Sequence, residues 1–376
     1  MFLNILFYIF IVSIFIQFLY YFLIFRKFVF YIPSSKKPAD FKPVSVIICA
    51  KNEEKNLEQF LPEIYQQDYP DFEVVLIDDR SIDRTWDIMD TFKQKYPKNT
   101  KVVRVDFSNN PRFVGNKKYA LTLGIKAATH PNLLFTDADC KPVSKYWISQ
   151  MMSKMQTPKQ LILGYGKYQT KPGFLNKLIR YETLQTGLQY FSYALIGKAY
   201  MGVGRNLAYT KDLFFGNNGF YNHMDVLSGD DDLFVNEVAT DENTDICIHP
   251  NSFTESIPKE NFGEWIFQKR RHISTARYYK FIHKILLGLY HFSLQLFYLS
   301  AIVLLIRNYH WKIVVFLVLL RFVFWYIINF NVAKKLQEKG IVWWLIFLEP
   351  FLMLFQIYIY VYNLFKKPKL WKTSIN

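Results

Sequence analysis

Residues 44–79 read VSVIICAKNEEKNLEQFLPEIYQQDYPDFEVVLIDD. The run Val44–Ala50 is rich in β-branched residues, which predicts a buried strand. Apolar residues then recur at helical spacing between positions 57 and 64, and a second apolar run at 72–77 ends on two aspartates. This stretch therefore predicts a strand, a helix and a second strand, which is the repeating unit of an α/β fold.

The same alternation continues toward the middle of the chain. Ser81 and Asp83 can cap a second helix, a third strand is predicted at 102–107, a helix at 117–128 and a fourth strand at 133–136. Strands that alternate with helices form a parallel sheet covered on both faces, and ligands bind at the carboxyl ends of its strands. The polar residues that follow these strands are therefore the candidate site residues.

The two ends of the chain are far more apolar than its middle. Residues 2–25 carry no charge and one strongly polar interior residue, Gln17, so they can cross a bilayer as a helix. The stretch lacks the features of a cleaved signal peptide and indicates a retained anchor. Three more apolar runs occupy 285–306, 313–330 and 341–365. The predicted organisation is an N-terminal transmembrane anchor at 1–27, a linker at 28–43, an α/β domain at 44–283, a C-terminal transmembrane region of two to three helices at 284–365, and a basic tail at 366–376.

The net charge of +15 points to a membrane partner rather than to nucleic acid. Lysine and arginine cluster beside the apolar runs, where anionic lipid attracts them. Cys49, Cys140 and Cys247 are far apart and lack a C-x-x-C spacing, so neither a zinc site nor a disulfide framework is indicated.

Asp137 and Asp139 directly follow the fourth predicted strand. Two carboxylates separated by one small residue can bind a divalent cation, and oxygen ligands favour Mg²⁺ or Mn²⁺. The alternative is a solvated turn, because aspartate is common after strands.

Three adjacent carboxylates, Asp230, Asp231 and Asp232, precede a helical pattern. Capping and the helix dipole account for one or two of them. Three repel one another, which raises at least one pKa and suits a general base or a metal site. Downstream, residues 268–272 have the sequence QKRRH. This segment is either a positive flank of the next apolar run or a phosphate contact through Arg271.

In this order the motifs resemble the family two inverting glycosyltransferases, over about residues 44–279. The residues that carry the resemblance are Ala50-Lys51-Asn52-Glu53, Asp78-Asp79 with Ser81 and Asp83, Lys117 with Ala120, Leu121 and Gly124, Asp137-Ala138-Asp139, Gly229-Asp230-Asp231, and Gln268 to His272. The resemblance implies a GT-A, Rossmann-like nucleotide-diphospho-sugar transferase domain. It is closest to the membrane-bound branch that includes polysaccharide synthases and lipid-linked sugar transferases.

The resemblance also implies roles for individual residues. Asn52, Glu53, Asp78 and Asp79 would lie at the nucleoside of the donor, and Lys117 would approach its phosphates. Asp137 and Asp139 would be the D-x-D pair, with Asp139 the more direct metal ligand. Asp231 or Asp230 would be the base: alignment on Gly229 favours Asp231, alignment on Leu233 favours Asp230, and Asp231 is preferred. Gln268 and Arg271 would lie near the diphosphate and the acceptor.

Three residues depart from the family pattern: Arg80 stands where glycine is frequent, Thr122 where asparagine is frequent, and His272 where tryptophan is usual. The tryptophan of processive synthases stacks on the acceptor sugar, so His272 disfavours polymer synthesis. The expected activity is transfer of a sugar from a nucleotide-diphosphate donor, UDP-sugar preferred, to a lipid-linked or glycan acceptor. Alternatives are a processive polysaccharide synthase, a nucleotide-sugar binding membrane protein without catalysis, and a transport or structural membrane protein.

Two further segments allow more than one interpretation. Residues 173–200 are amphipathic and aromatic, and form either core or an interfacial helix, while residues 201–206 resemble the family's acceptor-side loop. The positive-inside tendency places the α/β domain in the cytoplasm of a multi-pass protein of the cell (inner) membrane. Glu349-Pro350 predicts a break in the last apolar run, which then does not cross as a straight helix, leaving the tail cytoplasmic.

Overall fold

The computed structural model describes residues 1–33, 41–105, 117–226 and 228–366. The described residues form ten strands: β1 (Val44–Ala50), β2 (Phe72–Asp78), β3 (Thr100–Arg104), β4 (Asn132–Asp137), β5 (Cys140–Pro142), β6 (Leu161–Gly164), β7 (Gly166–Tyr168), β8 (Leu207–Thr210), β9 (Thr244–Cys247) and β10 (Thr254–Ser256). Seven of them form one sheet in the order β3-β2-β1-β4-β8-β6-β9, and three form a small sheet in the order β5-β10-β7.

Helices cover both faces of the main sheet and extend beyond it at both ends of the chain. They are α1 (Phe2–Leu19), α2 (Arg26–Val29), α3 (Glu54–Tyr65), α4 (Thr85–Lys95), α5 (Lys117–Ala127), α6 (Trp147–Met152), α7 (Phe174–Ala194), α8 (Lys211–Gly216), α9 (Asp232–Val238), α10 (Phe262–Thr275), α11 (Phe281–Ile306), α12 (Trp311–Lys335) and α13 (Leu345–Phe365). A π-helical stretch, Tyr20–Phe25, joins α1 to α2, and a 3-10 stretch, Lys339–Trp344, leads into α13.

The predicted α/β class is confirmed, with one difference in strand direction. Strands β1, β2, β3 and β4 pair in parallel, as alternation with helices requires. Strand β8 instead runs antiparallel to both β4 and β6. The third strand ends at Arg104, earlier than the predicted 107, and residues 106–107 lie outside the described part of the chain.

The strand register brings the candidate site residues to one edge of the sheet. Every residue of β1 and β2 is buried, because alternate side chains enter the hydrophobic clusters on the two faces. Ala50 of β1 pairs with Asp78 of β2, and Cys49 pairs with Asp137 of β4. The two aspartates therefore end the strands on either side of β1, within one residue of the same level.

Among the described residues, four helical segments are long and apolar enough to cross a membrane: Phe2–Val29, Phe281–Ile306, Trp311–Lys335 and Lys339–Phe365. The segment α1 packs against α11. Within this group Arg321 and Glu349 are buried and joined by an ion pair, with Nη2 to Oε1 at 2.7 Å. Arg321 Nε also donates to Gln17 Oε1 at 2.8 Å, and Tyr298 donates its hydroxyl to Glu349 at 2.5 Å. Because every charge has a partner, the pair can lie among apolar helices.

The predicted helix break at Glu349-Pro350 is wrong in its position. Helix α13 continues through Pro350, and the change in helix type lies earlier, between Trp344 and Leu345. Glu349 faces other helices, because Arg321 of α12 and Tyr298 of α11 contact it. Of the basic tail, only Lys366 belongs to the described residues.

Helix α7, in the segment predicted to be core or interfacial, is mostly buried. Its buried residues include Tyr181, Leu184 and Phe191. It packs against α2, α12 and α13 as well as against β7. The helix therefore joins the sheet domain to the apolar helices.

Candidate active site

A pocket at the carboxyl ends of β1 and β4 collects the predicted acidic residues. Its lining includes Lys117, Asp137, Asp230 and Asp231, with Cys49 and Tyr209 at its base. Asp137 arrives at the end of β4, and Asp230 and Asp231 arrive in the turn before α9. Gly229 starts that turn at φ +91°, a conformation that favours glycine.

Lys117 joins the two acidic motifs. Its Nζ lies 2.9 Å from Asp137 Oδ1 and 3.0 Å from Asp230 Oδ2. Burial alone would lower the pKa of Lys117, but the charges of Asp137 and Asp230 outweigh it and hold the pKa well above its usual value. Lys117 is therefore a fixed positive charge at the centre of the pocket, where the resemblance implies donor phosphate.

Asp230 and Asp231 differ in their surroundings, although they are adjacent. Burial would raise the pKa of Asp230, but Lys117 reverses the effect and lowers it. Burial, followed by the charges of Asp230 and Asp232, raises the pKa of Asp231 to about 7. Asp231 is held in place by the amide of Gly204, which donates to its Oδ2 at 2.7 Å. Asp231 can thus gain or lose a proton near neutral pH, whereas Asp230 forms an ion pair with Lys117.

Asp232 has a structural role. Its Oδ2 accepts hydrogen bonds from Thr275 Oγ1 and, at 2.7 Å, from Tyr279 Oη. These contacts tie the start of α9 to the end of α10. The sequence did not distinguish this residue from its two acidic neighbours.

Lys118 is a site residue that the sequence reasoning missed. Its side chain is 1% exposed, and its Nζ donates to the carbonyl oxygens of His223 at 2.8 Å, Val226 at 2.8 Å and Ser228 at 2.7 Å. Burial lowers its pKa to about 8 against the charges of Asp230, Asp232 and other neighbouring aspartates. Lys118 therefore holds the backbone of the loop that delivers Asp230 and Asp231. No short-range signal reveals it, because its partners lie more than a hundred residues away in sequence.

The D-x-D pair has the donor set of a divalent cation site. Ligand atoms of Asp137, Asp139 and Cys140 lie within 4.8 Å of one another. Partial burial, then the charges of Asp137 and Glu53, raise the pKa of Asp139, and a cation would relieve this repulsion. The Cys140 thiol, whose pKa burial raises well above its usual value, faces Asp139 Oδ1 at 3.3 Å and Ser256 Oγ at 2.9 Å. Asp137 and Asp139 thus fit Mg²⁺ or Mn²⁺, which prefer oxygen ligands, and a protonated Cys140 does not add to them.

The residues predicted at the nucleoside form a well-ordered turn system after β1 and β2. Asn52 Oδ1 accepts from the amide of Ile82 at 2.9 Å, and the amide of Asn52 donates to Ser81 Oγ at 2.9 Å. Asp78 Oδ1 accepts from the amide of Ser81 at 3.0 Å. Arg80 adopts φ +57°, which explains why glycine is frequent at this position in the family.

Asp78 and Asp79 each keep a buried carboxylate oxygen without a hydrogen bond, although Asp78 Oδ2 forms a long ion pair with Arg104 Nε at 3.8 Å. Both side chains are 0% exposed, and neither Asp78 Oδ2 nor Asp79 Oδ2 has a hydrogen-bond partner among the described residues. Asp79 Oδ1 accepts from Arg80 Nε at 2.8 Å, and burial raises the pKa of Asp79. Glu53 lies beside this system and accepts from Asn56 at 2.5 Å. Buried oxygens without a hydrogen bond can accept one from a ligand.

Helix α10 brings Arg271 to the acidic pocket. Arg271 Nε is buried without a hydrogen-bond partner among the described residues, and burial lowers its pKa although Asp230 and Asp137 act in the opposite direction. Gln268 lies one turn earlier on the same helix, and His272 follows Arg271 with an exposed side chain. A guanidinium in this state can bind an anionic ligand.

Comparison with known proteins identifies the domain. Residues 45–214 match the model of glycosyl transferase family 2. The chain is 24% identical over 210 residues, 55% of its length and 60% of the relative's, to a dolichyl N-acetyl-alpha-D-glucosaminyl phosphate 3-beta-D-2,3-diacetamido-2,3-dideoxy-beta-D-glucuronosyltransferase of Methanococcus voltae. It is 38% identical over 96 residues, 26% of its length and 24% of the relative's, to a 4,4'-diaponeurosporenoate glycosyltransferase of Staphylococcus haemolyticus. The chain thus spans less than two thirds of the length of both relatives.

A solved structure shares the fold across most of the chain. It is a mannosyltransferase of Pyrobaculum calidifontis in complex with GDP-Man and Mn²⁺, with a TM-score of 0.60 at 16% identity over 90% of this chain and 99% of that one. The family match covers β1 to β8 and stops before Asp230 and α10. Residues 45–214 are therefore a glycosyl transferase family 2 domain, and the chain that carries it has a GT-A fold with apolar helices at both ends.

Proposed function

We propose that the chain is an inverting, metal-dependent glycosyltransferase that moves a sugar from a nucleotide-diphosphate sugar to a membrane-proximal acceptor. The observation that carries the proposal is the meeting of Asp137, Asp230 and Asp231 around one pocket, with Lys117 between the acidic motifs and Arg271 within reach of their charges. Carboxylates for a cation, cations for a diphosphate and one carboxylate with a pKa near 7 are the groups that this reaction needs.

Asp231 acts as the base in this proposal. Its carboxylate removes the proton of the acceptor hydroxyl while that oxygen attacks the anomeric carbon from the side opposite the leaving group. The bond from the anomeric carbon to the nucleoside diphosphate breaks, and the configuration at that carbon inverts. The amide of Gly204 keeps Asp231 oriented toward the reacting hydroxyl.

Cationic groups receive the charge of the leaving nucleoside diphosphate. Lys117 lines the pocket, and Arg271 is close enough for the charges of Asp230, Asp137 and Asp231 to act on its pKa. Asp137 and Asp139 would hold a divalent cation, which would supply Lewis-acid neutralisation of the diphosphate. Asn52, Glu53, Asp78 and Asp79 bind the nucleoside, and the oxygens of Asp78 and Asp79 that carry no hydrogen bond accept its donors.

The acceptor and location follow from the apolar helices. Four candidate spans support a position of the domain against a bilayer, and the name of one relative contains dolichyl N-acetyl-alpha-D-glucosaminyl phosphate, which supports a lipid-linked acceptor. We therefore propose a lipid-linked acceptor, a UDP-sugar as the first donor to test, and a multi-pass protein of the cell membrane whose α/β domain is cytoplasmic. The basic residues Arg26 and Lys27 beside the anchor support this orientation.

A donor panel tests the proposal. The full chain in lipid nanodiscs is incubated with UDP-, GDP- and other nucleotide sugars, with Mg²⁺, Mn²⁺ or a chelator, and release of the nucleoside diphosphate is measured. We expect release from at least one donor, dependent on the metal. Donor binding without release from any nucleotide sugar would favour the alternative of a nucleotide-sugar binding protein without catalysis.

A further inference from the structure

Arg205, in the loop before β8, has no carboxylate partner in the described part of the chain. Two other arginines, Arg180 and Arg321, are each buried in an ion pair with a glutamate. Arg205 Nε is also buried but forms no hydrogen bond there. Burial would lower the pKa of Arg205, and the groups that raise it instead are led by Tyr168 and Cys140. Because a buried cation without a counter-charge is unfavourable, Arg205 indicates an anionic ligand.

The side chain of Arg205 is held in one position. Its guanidinium carbon lies 4.4 Å from the centre of the Tyr168 ring. A Cβ atom on Gly166 would lie 2.6 Å from Arg205 Cδ, so the side chain packs directly on the backbone at this glycine. The Arg205 carbonyl accepts from Thr254 Oγ1 at 2.9 Å, and the next residue, Asn206, is buried. Because the guanidinium is already ordered, binding an anion there costs little conformational entropy.

Arg205 directly follows the residue that orients Asp231. The amide of Gly204 donates to Asp231 Oδ2 at 2.7 Å, and consecutive Cα atoms are about 3.8 Å apart. If Asp231 is the base, the acceptor hydroxyl must come within hydrogen-bond reach of it. The anionic group that pairs with Arg205 is therefore near the reacting end of the acceptor.

The sheet separates Arg205 from the residues proposed to bind the nucleoside. Strand β8 pairs antiparallel with β4, with Leu207 opposite Phe135, so Arg205 arrives at the edge where β4 ends at Asp137. Strand β8 lies on one side of β4, whereas β1 lies on the other side with β2 beyond it. The nucleoside residues follow β1 and β2 and are therefore across Asp137 from Arg205.

The Arg205 side of the site adjoins the helices that lead to the candidate membrane spans. Burial raises the pKa of Tyr190 of α7, and Arg205 is close enough for its charge to act against this shift. Helix α7 packs against α12 and α13, which belong to two of the candidate spans. A lipid-linked ligand that reaches Arg205 therefore approaches from the side of α7.

We propose that Arg205 binds the phosphate of an acceptor in which a sugar is joined to a lipid through that phosphate. The phosphate pairs with Arg205 while a hydroxyl of the same sugar reaches Asp231, which takes its proton during transfer. An uncharged glycan or lipid acceptor would leave Arg205 without a counter-charge. The role of Asp231 here rests on the proposed function, whereas phosphate binding by Arg205 can be measured without turnover.

Binding of a short lipid phosphate tests this inference. The full chain in lipid nanodiscs is titrated with farnesyl phosphate, with farnesol, and with UDP or GDP plus Mn²⁺, whichever nucleotide binds more tightly. The proteins compared are the wild type, Arg205→Gln and the control Arg307→Gln, which changes an exposed arginine at the end of α11. We expect Arg205→Gln to weaken farnesyl phosphate binding at least about tenfold and to change the other two affinities less than about threefold. Arg307→Gln should match the wild type with all three ligands.

The diphosphate of the donor is the competing ligand, because Cys140 beside the D-x-D pair acts on the pKa of Arg205. A loss of nucleotide affinity in Arg205→Gln as large as the loss for farnesyl phosphate would overturn the inference and assign Arg205 to the donor. Equal binding of farnesyl phosphate by the wild type and Arg205→Gln, or of farnesyl phosphate and farnesol by the wild type, would also overturn it. Absence of sugar transfer would refute the proposed function and leave these binding results unchanged.

Amide exchange in the wild type gives a decision without any substitution, so a variant that fails to fold does not prevent the test. Farnesyl phosphate should slow exchange at residues 203–207 at least about threefold and leave residues 51–54 unchanged, whereas the nucleotide with Mn²⁺ should protect residues 51–54. Farnesol is the control ligand and should protect neither segment. Unchanged exchange at residues 203–207 with farnesyl phosphate would overturn the inference.

Discussion

Replacing Lys118 by methionine removes the ammonium group that holds the loop before Asp230 and Asp231. Three carbonyl oxygens, those of His223, Val226 and Ser228, lose a charged donor at 2.7–2.8 Å. Hydrogen bonds to a charged group contribute about 1.5–3 kcal/mol each. The contact to His223 is buried and the other two are partly buried, so water can replace part of what is lost. We therefore expect Lys118→Met to destabilise this conformation of the loop by about 3 kcal/mol.

The destabilisation of the loop should lower mainly kcat. Asp231 acts only when the acceptor hydroxyl is within hydrogen-bond reach, and a displacement of about 1 Å can cost about 100-fold in rate. At 1.4 kcal/mol for each factor of ten, 3 kcal/mol corresponds to a similar factor. We expect kcat of Lys118→Met to fall about 100-fold while the donor KM changes less than about threefold, because the predicted nucleoside residues lie elsewhere.

Lys126→Met is the matched control, since Lys126 is an exposed residue of the same helix. The assay compares kcat, donor KM and thermal unfolding for both variants and the wild type. A folded Lys118→Met protein with wild-type kcat would refute the reasoning that Lys118 positions the acidic loop. So would an equal loss in Lys126→Met.

Three other predictions concern the pocket. The rate should be highest between about pH 7 and pH 8, because Asp231 with its pKa of about 7 must be ionised and Lys118 with its pKa of about 8 must stay protonated; a flat rate from pH 5.5 to 9.5 would contradict both assignments. In metal titrations of turnover, Cys140→Ser should keep the metal affinity of the wild type, whereas Asp139→Ala and Asp137→Ala should abolish turnover although the protein folds. A tenfold lower metal affinity in Cys140→Ser would show that the thiol is a ligand. Products should carry one added sugar or few, because His272 offers a weaker sugar platform than tryptophan; mass spectrometry that finds a long polymer ladder would disprove this.

The sheet and its acidic edge were predictable because their signals are local. A β-branched run that ends on aspartate marks both a strand and its carboxyl end, so Asp78 and Asp137 could be placed at one edge. The choice between Asp230 and Asp231 could not be made from spacing. It depends on contacts with Lys117 and with the amide of Gly204, which are distant in sequence.

The helix break near Pro350 was predicted from two unfavourable features, the missing amide donor of Pro350 and the charge of Glu349 in an apolar run. A proline lacks an amide donor and removes one hydrogen bond from the second turn of α13, yet the helix continues through it to Phe365. The charge of Glu349 is matched by Arg321, 28 residues away on another helix. The cost of a charge in an apolar segment can be recognised from that segment alone, whereas its partner on another helix cannot.

We propose that Asp231 performs the chemistry in a pocket where other residues bind the donor. This proposal is tested most directly by measuring donor affinity and single-turnover donor cleavage side by side in the wild type, Asp231→Asn and the exposed control Glu242→Gln. We predict that Asp231→Asn binds the donor within about threefold of the wild type but transfers at least about 1,000-fold more slowly, while Glu242→Gln is unchanged in both. Transfer by Asp231→Asn at a rate close to that of the wild type would contradict the account.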